Sequence, residues 1–239
     1  MSSRNSPVDT NSLAQTWQGV ASIIDHTNLR PESTPDQIAR LCDEAREFGF
    51  GSVMINLCYV ELACSQLRGS DVTVGAVVGF PLGATLTSVK VFEARESLSL
   101  GAREIDMVMN IGALKAGDRT VALADIRAVV EVVHAQGALL KVILETGLLT
   151  NEEKLLACEL SEKAGADFVK TSTGFLGGVA TVEDVALMRR AVKIGVKASG
   201  GIRTASDAKA MIEAGANRLG TSSGVNIIRE LRNEAGGAK

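Results

Sequence analysis

Short apolar runs alternate with amphipathic stretches of helical period from Ala21 onward, the spacing of repeated βα units. The runs at 22–25, 51–55, 72–78, 104–109, 138–145, 167–171, 195–199 and 217–221 predict eight strands. Between the first two, Thr34-Pro35-Asp36-Gln37 offers an N-cap, a proline at the first helical position and a capping-box partner. Leu123, Ile126, Val130 and Val133 recur at helical spacing, and Thr150-Asn151-Glu152-Glu153 and Thr181-Val182-Glu183-Asp184 open helices with acidic first turns. Gly49, Gly101, Gly165 and Gly215 each precede a strand, where a left-handed residue lets the chain reverse out of a helix.

Eight βα units predict an α/β fold, a (β/α)8 TIM barrel in a single domain over 19–239, preceded by a polar N-terminal arm over 1–18. A doubly wound open sheet would share the alternation, but no G-x-G-x-x-G follows an early strand. Composition agrees with the barrel. Of 239 residues, 46% are hydrophobic and only 3% aromatic, so the core is built from Val, Ile, Leu and Ala, the residues of buried parallel strands. A formal charge of -3 leaves no cationic excess for nucleic acid or an anionic membrane, and neither is expected as a partner. The polar start of the chain holds no apolar run of leader or membrane-span length, which predicts a cytoplasmic protein. Cys42, Cys58, Cys64 and Cys158 show no C-x-x-C spacing and read as buried free thiols; with His26 and His134 as the only histidines, no zinc site is indicated.

Candidate chemistry lies where ionisable or amide residues interrupt apolar strands near their C-termini, the functional face of a barrel. Asp25, Asp106, Asn110, Lys141, Glu145, Lys170 and Lys197 do so. An ionisable group there loses hydration worth several kcal/mol unless it is paired, so it is ion-paired structure or a working site. Lys170 and Lys197 come from neighbouring strands and face one mouth. Two cations repel, and moving a lysine from about 10.4 toward 7 requires roughly 4 to 5 kcal/mol of differential interaction. A neutral amine attacks carbonyls, and Asp106 could hold the second lysine protonated and relay protons. Asp25 and Lys141 either neutralise one another or join the site, and His26 reads as a packing residue. Gly200-Gly201 after strand seven and Gly220, Ser222 and Ser223 after strand eight suit a phosphate dianion, although ordinary tight turns use similar residues.

These segments resemble the deoxyribose-phosphate aldolase family, class I aldolases on a (β/α)8 barrel. The likeness runs from about Ile24 to Ile228 through Ile24-Asp25-His26-Thr27, Gly79-Phe80-Pro81-Leu82-Gly83, Glu104-Ile105-Asp106-Met107-Val108-Met109-Asn110, Lys141-Val142-Ile143-Leu144-Glu145, Lys170-Thr171-Ser172-Thr173-Gly174 and Lys197-Ala198-Ser199-Gly200-Gly201. It implies reversible cleavage of 2-deoxy-D-ribose 5-phosphate to D-glyceraldehyde 3-phosphate and acetaldehyde, with Lys170 as Schiff-base lysine, Lys197 as its perturbing neighbour and Asp106 in proton transfer. Thr171, Gly174, Asn110, Asp25 and Lys141 join the glycine and serine positions above as substrate-binding residues. No metal or organic cofactor is implied, and a homodimer is suggested. The chain departs from the family at Met54, where a cysteine is expected, at Leu57, where a proline often stands, and at Phe175, where some members carry a lysine. Its only tyrosine is Tyr59, so a C-terminal tyrosine relay is absent. Two competing readings are another lysine-dependent barrel aldolase for a different phosphorylated sugar, and a phosphosugar isomerase or binding barrel that would need no amine pair.

Overall fold

The computed structural model describes residues 16–236, so the expected arm lies outside them but for its last residues. Trp17 and Gln18 already belong to a helix, α1 (Trp17–Ser22), because the Thr16 side chain caps it by accepting from Gly19 N–H. The first strand therefore begins later than the apolar run suggests. The eight strands are β1 (Ile24–Asn28), β2 (Ser52–Ile55), β3 (Thr73–Val78), β4 (Glu104–Val108), β5 (Leu139–Ile143), β6 (Phe168–Lys170), β7 (Gly195–Ser199) and β8 (Arg218–Thr221). All pair in parallel with their sequence neighbours, and β1 pairs with β8 to close the barrel.

The crossovers carry α2 (Pro35–Phe48), α3 (Val60–Gln66), α4 (Thr87–Ser99), α5 (Ile111–Lys115), α6 (Arg119–Ala135), α7 (Asn151–Ala164), α8 (Val182–Ala191) and α9 (Ala205–Glu213), and α10 (Gly224–Gly236) ends the described chain. Capping boxes close the N-termini of α2 and α7 through Thr34 with Gln37 and Thr150 with Glu153. Gly49 and Gly165 take left-handed backbone at the C-termini of the same two helices, as their positions predict. Arg232 of α10 lays its guanidinium 3.9 Å from the Trp17 ring, fastening α1 to the last helix.

The alternation of each strand separates two interiors. Val53, Ile55, Ile105, Met107, Leu140, Val142, Val169, Val196 and Leu219 join the helices in one apolar layer. The intervening residues face the barrel axis, and there the expectation of an apolar core broken by a few charges gives way to a polar interior. Gly220 makes room for it, since a Cβ there would stand 2.9 Å from Lys197 Cε. Gly75 also faces this interior, where a Cβ would meet Met54 Cε at 2.5 Å and the Glu104 Cβ at 3.4 Å. Of the four free cysteines, Cys42 and Cys158 are buried, but Cys58 is exposed on the 3₁₀ turn Leu57–Tyr59.

Candidate active site

Strand register brings the sequence-singled charges together. Asp106 of β4 pairs in register with Lys141 of β5, and Lys170 of β6 with Lys197 of β7. All four are buried along with Asp25 of β1. Asp106 is the hub: its Oδ2 accepts from Lys170 Nζ at 2.9 Å and from Lys197 Nζ at 2.7 Å, while its Oδ1 accepts from Lys141 Nζ at 3.0 Å. Lys197 also donates to Asp25.

Sequence reasoning missed two members. Glu104, two residues before Asp106 and on the same strand face, accepts from Lys141 at 2.5 Å; Arg218, opening β8, bridges Asp25 Oδ1 at 2.5 Å and Glu104 Oε1 at 2.7 Å. Ser52 donates to Asp25 at 2.7 Å. Four basic side chains thus face three carboxylates. Lys141 touches three carboxylates, Lys197 two and Arg218 two, but Lys170 touches only Asp106, through an oxygen it shares with Lys197. With Lys170 neutral the cluster balances.

Burial opposes the charge of Asp106, but Lys141, Lys170 and Lys197 outweigh it and hold the carboxyl well below its usual range. Asp25 is held low in the same way against its burial, first by Arg218 and then by Lys197 and Lys141. Lys141 goes the other way: burial disfavours its ammonium, yet Asp106, Glu104 and Asp25 raise it above the ordinary lysine range. Lys170 is pushed down to about 8, chiefly by burial, with Asp106 pulling it back and Lys197 adding to the fall. Lys–Lys repulsion is therefore the smaller of the two influences that lower it, after burial.

Lys170, Lys197 and Asp106 sit one step below the mouth and are not part of its lining. A cavity of about 680 Å³ opens above β7, β8 and β1, lined by Thr173, Gly174, Ser199, Gly200, Gly201, Gly220 and Ser222 among others. Lys197 packs directly beneath its Gly220 wall. Gly200 and Gly201 have φ of 98° and 79°, the left-handed region where a side chain is strained, and Ser222 lies just before α10, whose N-terminus favours an anion. Ser223 is outside that lining; its N–H donates to Thr221 Oγ1, which donates to Ile202 carbonyl oxygen and ties the two loops together. Asp25 and Lys141, expected among substrate contacts, lie in the ion network instead. Thr171 is buried and cross-links to β7, donating to the Ser199 carbonyl and accepting from Ser199 N–H, both at 3.0 Å. Asn110 caps α5 by accepting from Ala113 N–H.

Two residues that the sequence singled out take roles here that it did not predict. Glu145 takes left-handed backbone (φ 58°) and turns its buried carboxylate to Thr173, accepting from N–H at 3.1 Å and Oγ1 at 2.5 Å. Phe175, where some relatives carry a lysine, stacks edge-on against Phe80 at 5.1 Å. His26 packs against Phe50 and bonds Glu44 at 2.8 Å; burial nevertheless pushes it below the usual histidine range. Among the described residues, no three His, Cys, Asp or Glu side chains converge as metal ligands.

A buried amine that shares its one carboxylate, beside an anion-suited cavity on a closed barrel, is the equipment of an imine-forming enzyme. The family model for DeoC/LacD aldolases matches residues 20–230. The chain belongs to that family. It is 60% identical to the deoxyribose-phosphate aldolase of Thermococcus gammatolerans over 90% of this chain and 97% of the relative. It is 56% identical to that of Listeria monocytogenes over 87% of this chain and 94% of the other. Among solved structures, the tetrameric deoxyribose phosphate aldolase of Aeropyrum pernix superposes with a TM-score of 0.87 at 32% identity, covering 96% of this aldolase and all of that chain. This aldolase is thus a carbon–carbon lyase, and among its described residues no helix is long and apolar enough to cross a membrane.

Proposed function

We propose that the chain reversibly cleaves 2-deoxy-D-ribose 5-phosphate to D-glyceraldehyde 3-phosphate and acetaldehyde through a Schiff base at Lys170. The single observation that carries the site assignment is the sharing of Asp106 Oδ2 by Lys170 and Lys197, which leaves Lys170 the basic group with the least counter-charge. The names of the relatives support the substrate.

Neutral Lys170 Nζ attacks the C1 aldehyde of the open-chain sugar, and loss of water from the carbinolamine gives a protonated imine. The C3 hydroxyl loses its proton, the C2–C3 bond breaks, and its electron pair passes into the iminium to form an enamine. Glyceraldehyde 3-phosphate leaves, C2 takes up a proton, and hydrolysis returns acetaldehyde and free Lys170. The iminium does the electron-accepting work that a metal ion does in other aldolases, so the scheme calls on no cofactor. Ionised Asp106, bonded to both lysines, accepts and relays protons, with Lys197 as the N–H donor beside it. The phosphate rests on Gly200, Gly201, Gly220 and Ser222, and Arg203, which lines the same cavity, supplies positive charge in place of the lysine replaced by Phe175. We place the enzyme in the cytoplasm and expect it to assemble as a homodimer.

Borohydride reduction in the presence of acetaldehyde, followed by peptide mass mapping, tests the assignment, alongside direct assay of acetaldehyde release from deoxyribose 5-phosphate. An ethyl adduct on Lys170 with cleavage of the sugar phosphate is expected. Adduct formation without cleavage would point to an aldolase for another phosphorylated sugar, and no adduct on Lys170 would remove the Schiff base.

A further inference from the structure

Below the reacting groups lies a second charged tier that the mechanism does not touch. Arg218 opens β8 two residues before Gly220, and Glu104 opens β4 two residues before Asp106. Neither stands at a strand C-terminus, where barrel chemistry takes place. Arg218 nonetheless bonds Asp25 and Glu104, and Glu104 bonds Lys141, so the tier connects by direct contacts to the two side chains that flank Asp106 and Lys197.

We infer that Arg218 and Glu104 are positioning residues whose opposite charges set the reactivity of Lys170 from beneath, through the charge balance of the whole network. The inference rests on the Schiff-base reading of Lys170. Two observations carry it. The cluster balances only if one basic group is neutral, and contact geometry makes that group Lys170. Arg218 is also the largest influence drawing Asp25 down, so without it Asp25 would lean its charge more fully on Lys197. The charged groups of the network that Lys170 joins through Asp106 are Asp106 and Glu104 from β4, Lys141 from β5, Lys197 from β7, Asp25 from β1 and Arg218 from β8. Glu145, beyond β5, is engaged with Thr173.

The consequence is a pair of shifts of opposite sign. Removing the Arg218 charge makes the network more negative, favours the Lys170 ammonium and raises the pH at which Lys170 becomes reactive. Removing the Glu104 charge makes it more positive and lowers that pH. Each shift should be about one pH unit for charges a few strand positions apart in a partly desolvated interior.

The test is the pH dependence of acetaldehyde trapping by borohydride at Lys170, measured in the wild type, Arg218→Met, Glu104→Gln, the double variant and Arg218→Lys. The midpoint should rise in Arg218→Met, fall in Glu104→Gln and lie near the wild-type value in both the double variant and Arg218→Lys. A merely structural pair would lower the yield of folded protein or the amplitude of trapping without moving the midpoint in opposite directions. If Arg218→Met does not fold, the near-isosteric Glu104→Gln decides alone through the direction of its shift. Midpoints that stay put, or move the same way in both single variants, overturn the inference. Absence of trapping at Lys170 in the wild type would instead overturn the Schiff-base reading on which it stands.

Discussion

Two buried lysines in this barrel teach different lessons. Lys90 of α4 is 0% exposed and donates to Asp125 Oδ2 of α6 at 2.6 Å and to the Val108 carbonyl at 2.8 Å; Thr87 completes the carboxylate from the other side. Lys170 is 1% exposed, and its one carboxylate is shared with Lys197. Burial pushes both below the ordinary lysine range. Burial alone therefore does not distinguish the proposed nucleophile. Lys90 has a carboxylate of its own and a second acceptor, lies between helices, and serves as a structural clamp. Lys170 shares its one carboxylate with two other lysines, has a cationic neighbour, and stands on the strand whose following loop lines the cavity.

The largest effect that would break this comparison comes from exchanging the roles. Lys170→Leu should abolish trapping at every pH and reduce turnover by at least about a thousandfold, whereas Lys90→Met should leave the adduct on Lys170 and cost about 3 to 5 kcal/mol of stability by stranding Asp125. Denaturant titration together with peptide mapping reads both. An adduct appearing on Lys90 in the Lys170 variant would erase the distinction.

Asp106→Asn comes next. It removes the carboxylate charge and its capacity to take up a proton but keeps the shape, so imine should still form while cleavage slows by about a hundred- to ten-thousandfold. Single-turnover measurement separates the two steps, and equal losses in both would make Asp106 purely structural.

Lys197→Leu sharpens the question of sharing. It removes a cation that lowers Lys170 and leaves Asp106 Oδ2 to it alone, so the Lys170 pKa rises above about 8 and the acid limb of kcat/KM moves to higher pH. Activity at neutral pH should fall by about tenfold to a hundredfold and recover in alkaline buffer. An unmoved limb with normal turnover would make Lys197 another Lys90.

The smallest effect is at the mouth. Ser222→Asp puts a negative charge where the phosphate is proposed to rest and should raise KM for deoxyribose 5-phosphate by about tenfold while leaving KM for unphosphorylated deoxyribose nearly unchanged. Equal changes for both substrates would move the phosphate elsewhere.

The strands were legible because outward-facing positions such as Val142, Val169 and Val196 must be apolar to meet the helices, and the caps because Thr34, Thr150 and Thr181 stand one residue before helices they bond to. Lys170, Lys197 and Asp106 were legible for the converse reason, as charges at the ends of apolar runs. Glu104 and Arg218 escaped because a charge at the start of a strand reads as a solvated end; only barrel closure reveals that both turn inward and meet. The Lys90 pair escaped because a lysine on a helix reads as an exposed face, and its partner lies 35 residues away. Met54 and Phe175, departures from the family pattern, are explained by their neighbours: one fills the space over Gly75, the other reaches Phe80. Nothing in the local sequence announces the left-handed turn at Glu145, whose buried carboxylate bonds Thr173 in the loop after β6.

The central claim is that Lys170 is reactive because it holds the least counter-charge of the buried basic groups. Its most direct test is the rate of acetaldehyde trapping as a function of pH, resolved lysine by lysine by mass spectrometry. The account predicts an adduct on Lys170 with a midpoint near the lowered value of about 8, and none on Lys90, Lys141 or Lys197 across the same range. Equal labelling of Lys197, or a Lys170 midpoint at the ordinary lysine value near 10.4, would contradict it.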